Sequence, residues 1–285
     1  MHDVPGLLAV HAHPDDEVIA TGGVLARAAS EGRRTKVVTC TDGSRGEIVG
    51  EGMDPDEIRP RLAEVRAGEI ADALALLGVD EHEFLGYRDS GMMGDEGNDD
   101  PASFWRADVH EAVGRLVRSI RDFRPAVVVT YDAFGGYGHP DHIQAHRMAV
   151  LAVEAARTAS LYPEAGDPWH VAKLYLSSFP KSAIAEANRQ FAEAGLPSPF
   201  GETDDPADIP MGTEDHLVTT TVDVRDHMAA KQAALRAHVS QIAPSSFFLN
   251  VPEPMVEGFY GTEWFVRRLS AVDAPTPEDD LFAGI

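Results

Sequence analysis

Leu7-Leu8-Ala9-Val10-His11-Ala12-His13-Pro14-Asp15-Asp16-Glu17 is the stretch that decides the fold. Leu7 to His13 is an almost unbroken apolar run, which reads as a strand buried on both faces. His11 and His13 share one face of it at period two. Pro14 is suited to open a helix, where its missing N–H costs nothing, and Asp15 and Asp16 then sit in the first turn. The helix runs from Glu17 to Glu31 and stops at Gly32. A strand feeding directly into a helix is half of a strand–helix–strand unit.

Outward from this junction the alternation repeats. Thr35 to Thr41 is a second strand, ended by Asp42-Gly43. Pro55 to Leu77 has apolar residues at helical spacing (Ile58, Leu62, Val65, Ile70, Leu74, Leu77) and ends at Gly78. Glu83 to Tyr87 is a short strand, Ala107 to Phe123 a helix, and Ala126 to Tyr131 a strand with three consecutive valines. Pro140 to Thr158 reads as helix and Lys173 to Ser178 as strand. This order predicts an α/β fold with a doubly wound, mostly parallel, Rossmann-like sheet and a smaller C-terminal lobe. Residues 1–180 form the core and 181–285 the lobe that completes a substrate pocket, within one continuous domain. In the lobe Ala183 to Ala194 and Arg225 to Gln241 read as helices and Leu217 to Val224 as a strand. Gly195 to Thr213 reads as a long loop or lid, and the Pro- and acid-rich tail from Ala274 as surface.

Composition narrows the function. The 285 residues carry 47 acidic against 24 basic side chains, a formal net charge of -23. Nucleic acid and anionic membrane both require a basic face, so neither is an expected partner. No apolar stretch is long enough for a membrane helix, and Met1 to Gly6 lacks the basic start of a signal peptide. The lone Cys40 cannot form an internal disulfide. A cytoplasmic protein is expected, its oligomeric state open, homo-oligomers included.

The unusual residues gather where strands end. His11, His13, Asp15, Asp16 and Glu17 follow the first strand, and Tyr137-Gly138-His139-Pro140-Asp141-His142 follows the valine strand. Each could be a plain helix cap, yet clustered ionisable groups beyond a buried strand bear a desolvation cost that stability does not explain. Ligands of doubly wound sheets bind beyond these strand ends. Two imidazoles and one carboxylate form the ligand set of many catalytic zinc sites. A second carboxylate beside them can act as base, which suits Asp15, and His139 is placed to steady an oxyanion. Non-haem iron oxygenases use a similar set, but on β-barrels with closer spacing. A nucleotide-binding module is the other alternative, and it lacks the required G-x-G-x-x-G loop. A metal-binding scaffold without turnover is a third reading.

Ala12-His13-Pro14-Asp15-Asp16-Glu17 and Gly138-His139-Pro140-Asp141-His142 resemble the two motifs of the PIG-L/LmbE family of metal-dependent de-N-acylases. That resemblance implies a C–N amide hydrolase acting on an amino-sugar. His13, Asp16 and His142 would hold Zn2+ (or Fe2+), and Asp15 would be the base. His139 would be stabiliser or acid, Asp141 would orient an imidazole, and Tyr137 would line the pocket. Gly43-Ser44-Arg45-Gly46-Glu47, Arg66 and Arg88-Asp89-Ser90-Gly91-Met92 resemble sugar-binding segments of the mycothiol-related branch, making Glu47, Arg66, Asp89 and Met92 expected substrate contacts. Read without the resemblance, Arg66 pairs with Glu69 on a helix face, Asp89-Ser90-Gly91 is a turn, and His238 packs in a helix. Within the branch the chain is more similar to the mycothiol S-conjugate amidases. The alternative is deacetylation of N-acetylglucosaminyl-inositol. The lysine that those amidases carry four residues after the metal-binding aspartate is Ala20 here.

Overall fold

Every residue of the first strand, β1 (Leu7–His11), is buried. Its side chains divide between two cores: Leu8 and Val10 enter one, Leu7 and Ala9 the other. A strand covered on both faces has no polar side to alternate with, hence its continuous apolar run. The computed structural model describes residues 4–285. Met1–Asp3, where the missing basic leader is read, lie outside the described residues.

The other strands are β2 (Thr35–Thr41), β3 (Glu81–Tyr87), β4 (Val127–Tyr131), β5 (Lys173–Ser178), β6 (Thr220–Asp223) and β7 (Thr262–Ser270). They form one sheet in the order β3-β2-β1-β4-β5-β7-β6. The first five are parallel, and β7 and β6 extend the edge antiparallel. The longer helices are α1 (Asp16–Ser30), α2 (Leu62–Leu77), α3 (Val109–Phe123), α4 (Pro140–Ala156), α5 (Lys181–Glu193) and α6 (Met228–Ala237). Leu25 of α1, Ile70 of α2 and Leu235 of α6 fill the core on one face of the sheet. Leu116 of α3 and Met148 of α4 fill the core on the other. The result is the expected α/β architecture, three layers deep.

Local signals explain the boundaries. Asp108 accepts the Glu111 N–H at 2.9 Å and starts α3. Gly78, at φ 75°, closes α2 in the left-handed conformation that an L side chain resists. No helix among the described residues is long and apolar enough to cross a membrane.

The C-terminal part supplies one strand that the sequence reading leaves unassigned and corrects one expectation. Residues 262–270, with Trp264-Phe265-Val266 at their centre and Glu263, Arg267 and Arg268 around it, form β7. Phe265 faces the core, and Glu263 is buried because it accepts from Gly23 N, Val24 N and Lys231 Nζ. The tail from Ala274 lies only partly on the surface: Pro275, Thr276, Pro277 and Asp279 are exposed, while Glu278, Leu281 and Phe282 turn inward. Glu278 is buried and takes Lys173 Nζ at 2.5 Å, Arg267 Nη1 at 2.8 Å and Tyr175 Oη at 2.7 Å. Lys173 sits wholly inside the protein, so it needs a counter-charge that the acidic tail brings in.

Candidate active site

β1 and β4 lie side by side, and the chain winds from β1 to β2 and β3 on one side and from β4 to β5 on the other. The crevice beyond their carboxyl ends is therefore a topological switch point. Both His-Pro-Asp segments emerge into it. Helix α1 begins at Asp16, not at Pro14, because Asp15 adopts φ 124° and ψ -30°. Asp15 makes no side-chain capping bond. Positive φ outside glycine is rare and tends to mark functional sites.

Three donor atoms converge here. His142 Nε2 lies 3.2 Å from His13 Nδ1 and 3.4 Å from Asp16 Oδ2, and His13 Nδ1 lies 3.3 Å from Asp16 Oδ2. The outer nitrogens fix the tautomers. His142 Nδ1 faces the Gly135 carbonyl at 3.1 Å, and His13 Nε2 faces Asp141 Oδ2 at 3.2 Å. Both partners only accept, so both outer nitrogens carry the proton. Two imidazole nitrogens and a carboxylate oxygen thus converge on one point, where either a bound cation or a proton on His13 Nδ1 relieves their repulsion. Tetrahedral zinc with bonds of about 2.0–2.1 Å separates its ligand atoms by about 3.3 Å, so the triangle fits. Without a cation, burial would lower the His13 pKa, but Asp89, Asp141 and Asp16 hold it well above 6.5. His142, pushed down to about 4 by burial, stays neutral.

Further groups fix these ligands. Tyr131 Oη donates to Asp16 Oδ2 at 2.7 Å, and its ring stacks on His142 with centroids 4.3 Å apart. Asp141 is fully buried, and besides His13 it accepts Ser90 N at 2.9 Å and Ser90 Oγ. A carboxylate on the outer nitrogen of a ligating imidazole is a common means of orienting it. His139 Nδ1 accepts the Asp141 N–H at 3.1 Å, so the His139 proton sits on Nε2. Burial and the neighbouring His13 charge lower its pKa to about 3, making it a neutral donor. His139 also lies within 4.8 Å of His13 and His142 as a candidate ligand, but Asp16 completes the tighter triangle. Tyr131 and Ser90 were not among the expected site residues. Tyr131 ends the strand beside β1, which was a usable signal; Ser90 offered only a turn.

Asp15 lies beside the triangle with its side chain 17% exposed. Burial raises its pKa to about 6, against the pull of Arg66. Arg66 Nη2 stands 3.1 Å from Asp15 Oδ2 and also donates to the Pro14 carbonyl, while Nη1 donates to the Gly43 carbonyl at 2.8 Å. Arg66 is thus only 2% exposed and underpins the base loop, neither pairing with Glu69 nor lying open to a sugar. Asp89 is buried and accepts Gly91 N at 2.8 Å and Arg45 N at 3.1 Å. Burial works to raise its pKa, but His13 and these donors bring it below the usual range. Tyr137 and Met92 are half exposed, and Tyr137 is 5.0 Å from the His142 ring between centroids. Glu47 is exposed, its carbonyl accepting from Gln241 Nε2 at 2.9 Å. A cleft of about 580 Å³ opens beside Asp89, lined also by Asp42, Arg45, Arg59, Arg88 and Asp95. Its walls are mainly hydrogen-bonding, with Pro60, Leu62 and Ala63 supplying a smaller apolar part.

An α/β sheet with a cation-ready triangle and a spare carboxylate at its switch point defines a metal-dependent hydrolase. The family described as PIG-L, GlcNAc-PI de-N-acetylase, matches residues 8–153, and the chain belongs to this family of hydrolytic de-N-acetylases. It is 45% identical to 1D-myo-inositol 2-acetamido-2-deoxy-alpha-D-glucopyranoside deacetylase 1 of Catenulispora acidiphila, over 98% of this chain and 89% of that one. The corresponding deacetylase of Geodermatophilus obscurus is 44% identical, over 98% and 97%. Among solved structures, the fold resembles N,N'-diacetylchitobiose deacetylase from Pyrococcus horikoshii, with TM-score 0.64 and 22% identity over 93% of this chain and 84% of that one. It also resembles the 4-carboxy-2-hydroxymuconate hydratase of Pseudomonas putida, with TM-score 0.61 and 19% identity over 95% and 99%. A hydratase on this fold shows why the reaction must be argued from the site.

Proposed function

We propose that the protein removes the acetyl group from N-acetylglucosaminyl-inositol. The observation that carries this is the cation-ready triangle of His13 Nδ1, Asp16 Oδ2 and His142 Nε2 beside the uncapped Asp15. The names of the full-length relatives favour deacetylation over the mycothiol S-conjugate amidase reading. A cleft walled by arginines and aspartates suits a neutral polyol, which both donates and accepts hydrogen bonds.

His13, Asp16 and His142 would hold one Zn2+, or Fe2+ in its place. When bound, the ion polarises the acyl oxygen and makes water acidic near neutral pH. Asp15 takes a proton from the attacking water as oxygen adds to the acetyl carbon. His139 Nε2–H, with Tyr137 nearby, donates to the acyl oxygen as it gains charge. Asp141 holds the His13 ring in one tautomer throughout. The C–N bond then breaks, the proton on Asp15 passes to the sugar nitrogen, and acetate and amine leave.

Mass spectrometry of product from the metal-loaded protein tests this. Acetate and free amine should form from N-acetylglucosaminyl-inositol, with no cleavage of a mycothiol S-conjugate. Turnover of the conjugate alone overturns the reading in favour of the amidase.

A further inference from the structure

The segment His238-Val239-Ser240-Gln241, just beyond α6, takes part in no step above, yet it reaches three parts of the site. His238 Nε2 donates to Glu17 Oε1 at 2.8 Å across 221 positions of sequence, with both side chains fully buried. The other oxygen, Glu17 Oε2, accepts the Asp15 backbone N–H at 2.9 Å. Ser240 donates through N and Oγ to the two oxygens of Glu69, at 2.6 and 2.7 Å, one turn of α2 from Arg66. Gln241 holds the Glu47 carbonyl.

We propose that this segment is a latch that sets the direction of the Asp15 carboxylate, with His238 and Glu17 as positioning residues for the base. The inference rests on Asp15 acting as base. At φ 124° and without a capping bond, Asp15 is tied to the backbone of α1 only through its carbonyl, which accepts Val18 N at 3.1 Å and Ile19 N at 3.3 Å. Two side-chain grips set the rest of it: Arg66 on its carboxylate and Glu17 on its N–H. Glu17 lies only two residues away in sequence and cannot be its own anchor. His238 occupies its second oxygen and leaves the first aimed at Asp15. Ser240 fixes the helix that carries Arg66, so both grips lead to the same short segment.

The plain reading is that Glu17 and His238 merely staple α6 to α1. The two differ in what fails when His238 is changed. The staple loses stability, and the molecules that remain folded keep full activity. The latch loses kcat.

The metal-loaded protein would be assayed by acetate release alongside His238→Ala, His238→Asn and His238→Gln. Gln places its amide nitrogen near the Nε2 position, whereas Asn mimics Nδ1 and falls short of Glu17. Asn therefore serves even if Ala does not fold. The latch predicts that kcat falls about 10- to 100-fold in the Asn and Ala variants, as for a misplaced catalytic group. KM and bound metal should change by no more than about twofold, and Gln should restore most of the rate. In an Asp15→Ala background the His238 change should cost nothing further. Independently of any substrate, hydrogen exchange of the Asp15 amide should quicken at least about tenfold in His238→Asn but not in His238→Gln. Unchanged exchange at Asp15, or an equal loss of rate with and without the Asp15 carboxylate, overturns the latch. If the wild type releases no acetate, the deacetylase reading fails, while the exchange experiment still decides the latch.

Discussion

His13-Pro14-Asp15 and His139-Pro140-Asp141 are the same three residues on two different backbones. The second begins a helix in regular fashion: His139 is extended at φ -64° and ψ 131°, Pro140 is the first helical residue, and the His139 ring accepts the Asp141 N–H. The first does not, since its helix starts after Asp15, which sits at φ 124° with no capping bond. The consequences for the two carboxylates are opposite. Asp141 is buried and fully engaged by Ser90 and His13. Asp15 is partly open, and its carboxylate pairs with Arg66. An aspartate whose oxygens are engaged orients its neighbours; one that the backbone turns outward can accept a proton.

Breaking the shared centre should have the largest effect. His142→Ala, or a chelator, removes the meeting point of both segments, and turnover should vanish, returning with added Zn2+ only in the chelated wild type. Next comes Asp15→Asn, which should lower kcat by about a thousandfold, within the range for a positioned base. Metal analysis should find the cation retained. Asp141→Asn should give the reverse signature, with metal affinity about 10- to 100-fold weaker and kcat largely recovered at saturating metal. If the two variants behave alike, the division of roles is wrong.

The pH profile sharpens the contrast. Burial raises the Asp15 pKa to about 6, so the folded state favours its protonated form. That preference stabilises the protein fully below the ordinary value of 3.8 and is lost as pH rises through about 6. The same deprotonation turns on the base, so kcat/KM should rise with pH along an acid limb. A cation beside Asp15 favours the carboxylate, so the limb in the loaded enzyme should lie at or below about pH 6. A limb well above that value would assign the titration to another group.

The fold was legible because its decisive strands are apolar on both faces and its helices carry periodic stripes. Leu7–His11 and Val127–Tyr131 need no partner to be recognised, and the motif positions follow from where they end. The meeting of His13, Asp16 and His142 was legible for the same reason. What was hidden depends on pairs distant in sequence. β7 has an apolar centre, Trp264-Phe265-Val266, but its charges Glu263 and Arg267 read as exposed until their partners Lys231 and Glu278 are placed, and Glu278 reads as surface until Lys173 is seen beneath it. Arg66 beside Glu69 looked like an ordinary helix pair, while their real partners are Asp15 and Ser240. Placing Asp15 in the first helical turn is a misreading, because its strand-to-helix context does not announce a φ of 124°.

That misreading yields the smallest and most discriminating prediction. Asp15→Ala and Asp15→Gly both delete the carboxylate and both leave Arg66 without its partner. They differ only in the Cβ atom, and hence in the cost of φ 124°. Glycine should be the more stable of the two by about 1–3 kcal/mol, the typical penalty for an L residue in such a conformation. At Asp141, inside the first turn of α4, the same pair should reverse, with alanine ahead by up to about 1 kcal/mol because glycine loses more entropy in a helix. Denaturant midpoints of the four variants measure both differences. Opposite signs would place the distinction between the two tripeptides in the backbone. Equal signs would mean that Asp15 is not strained, and that its lack of a capping bond needs another cause.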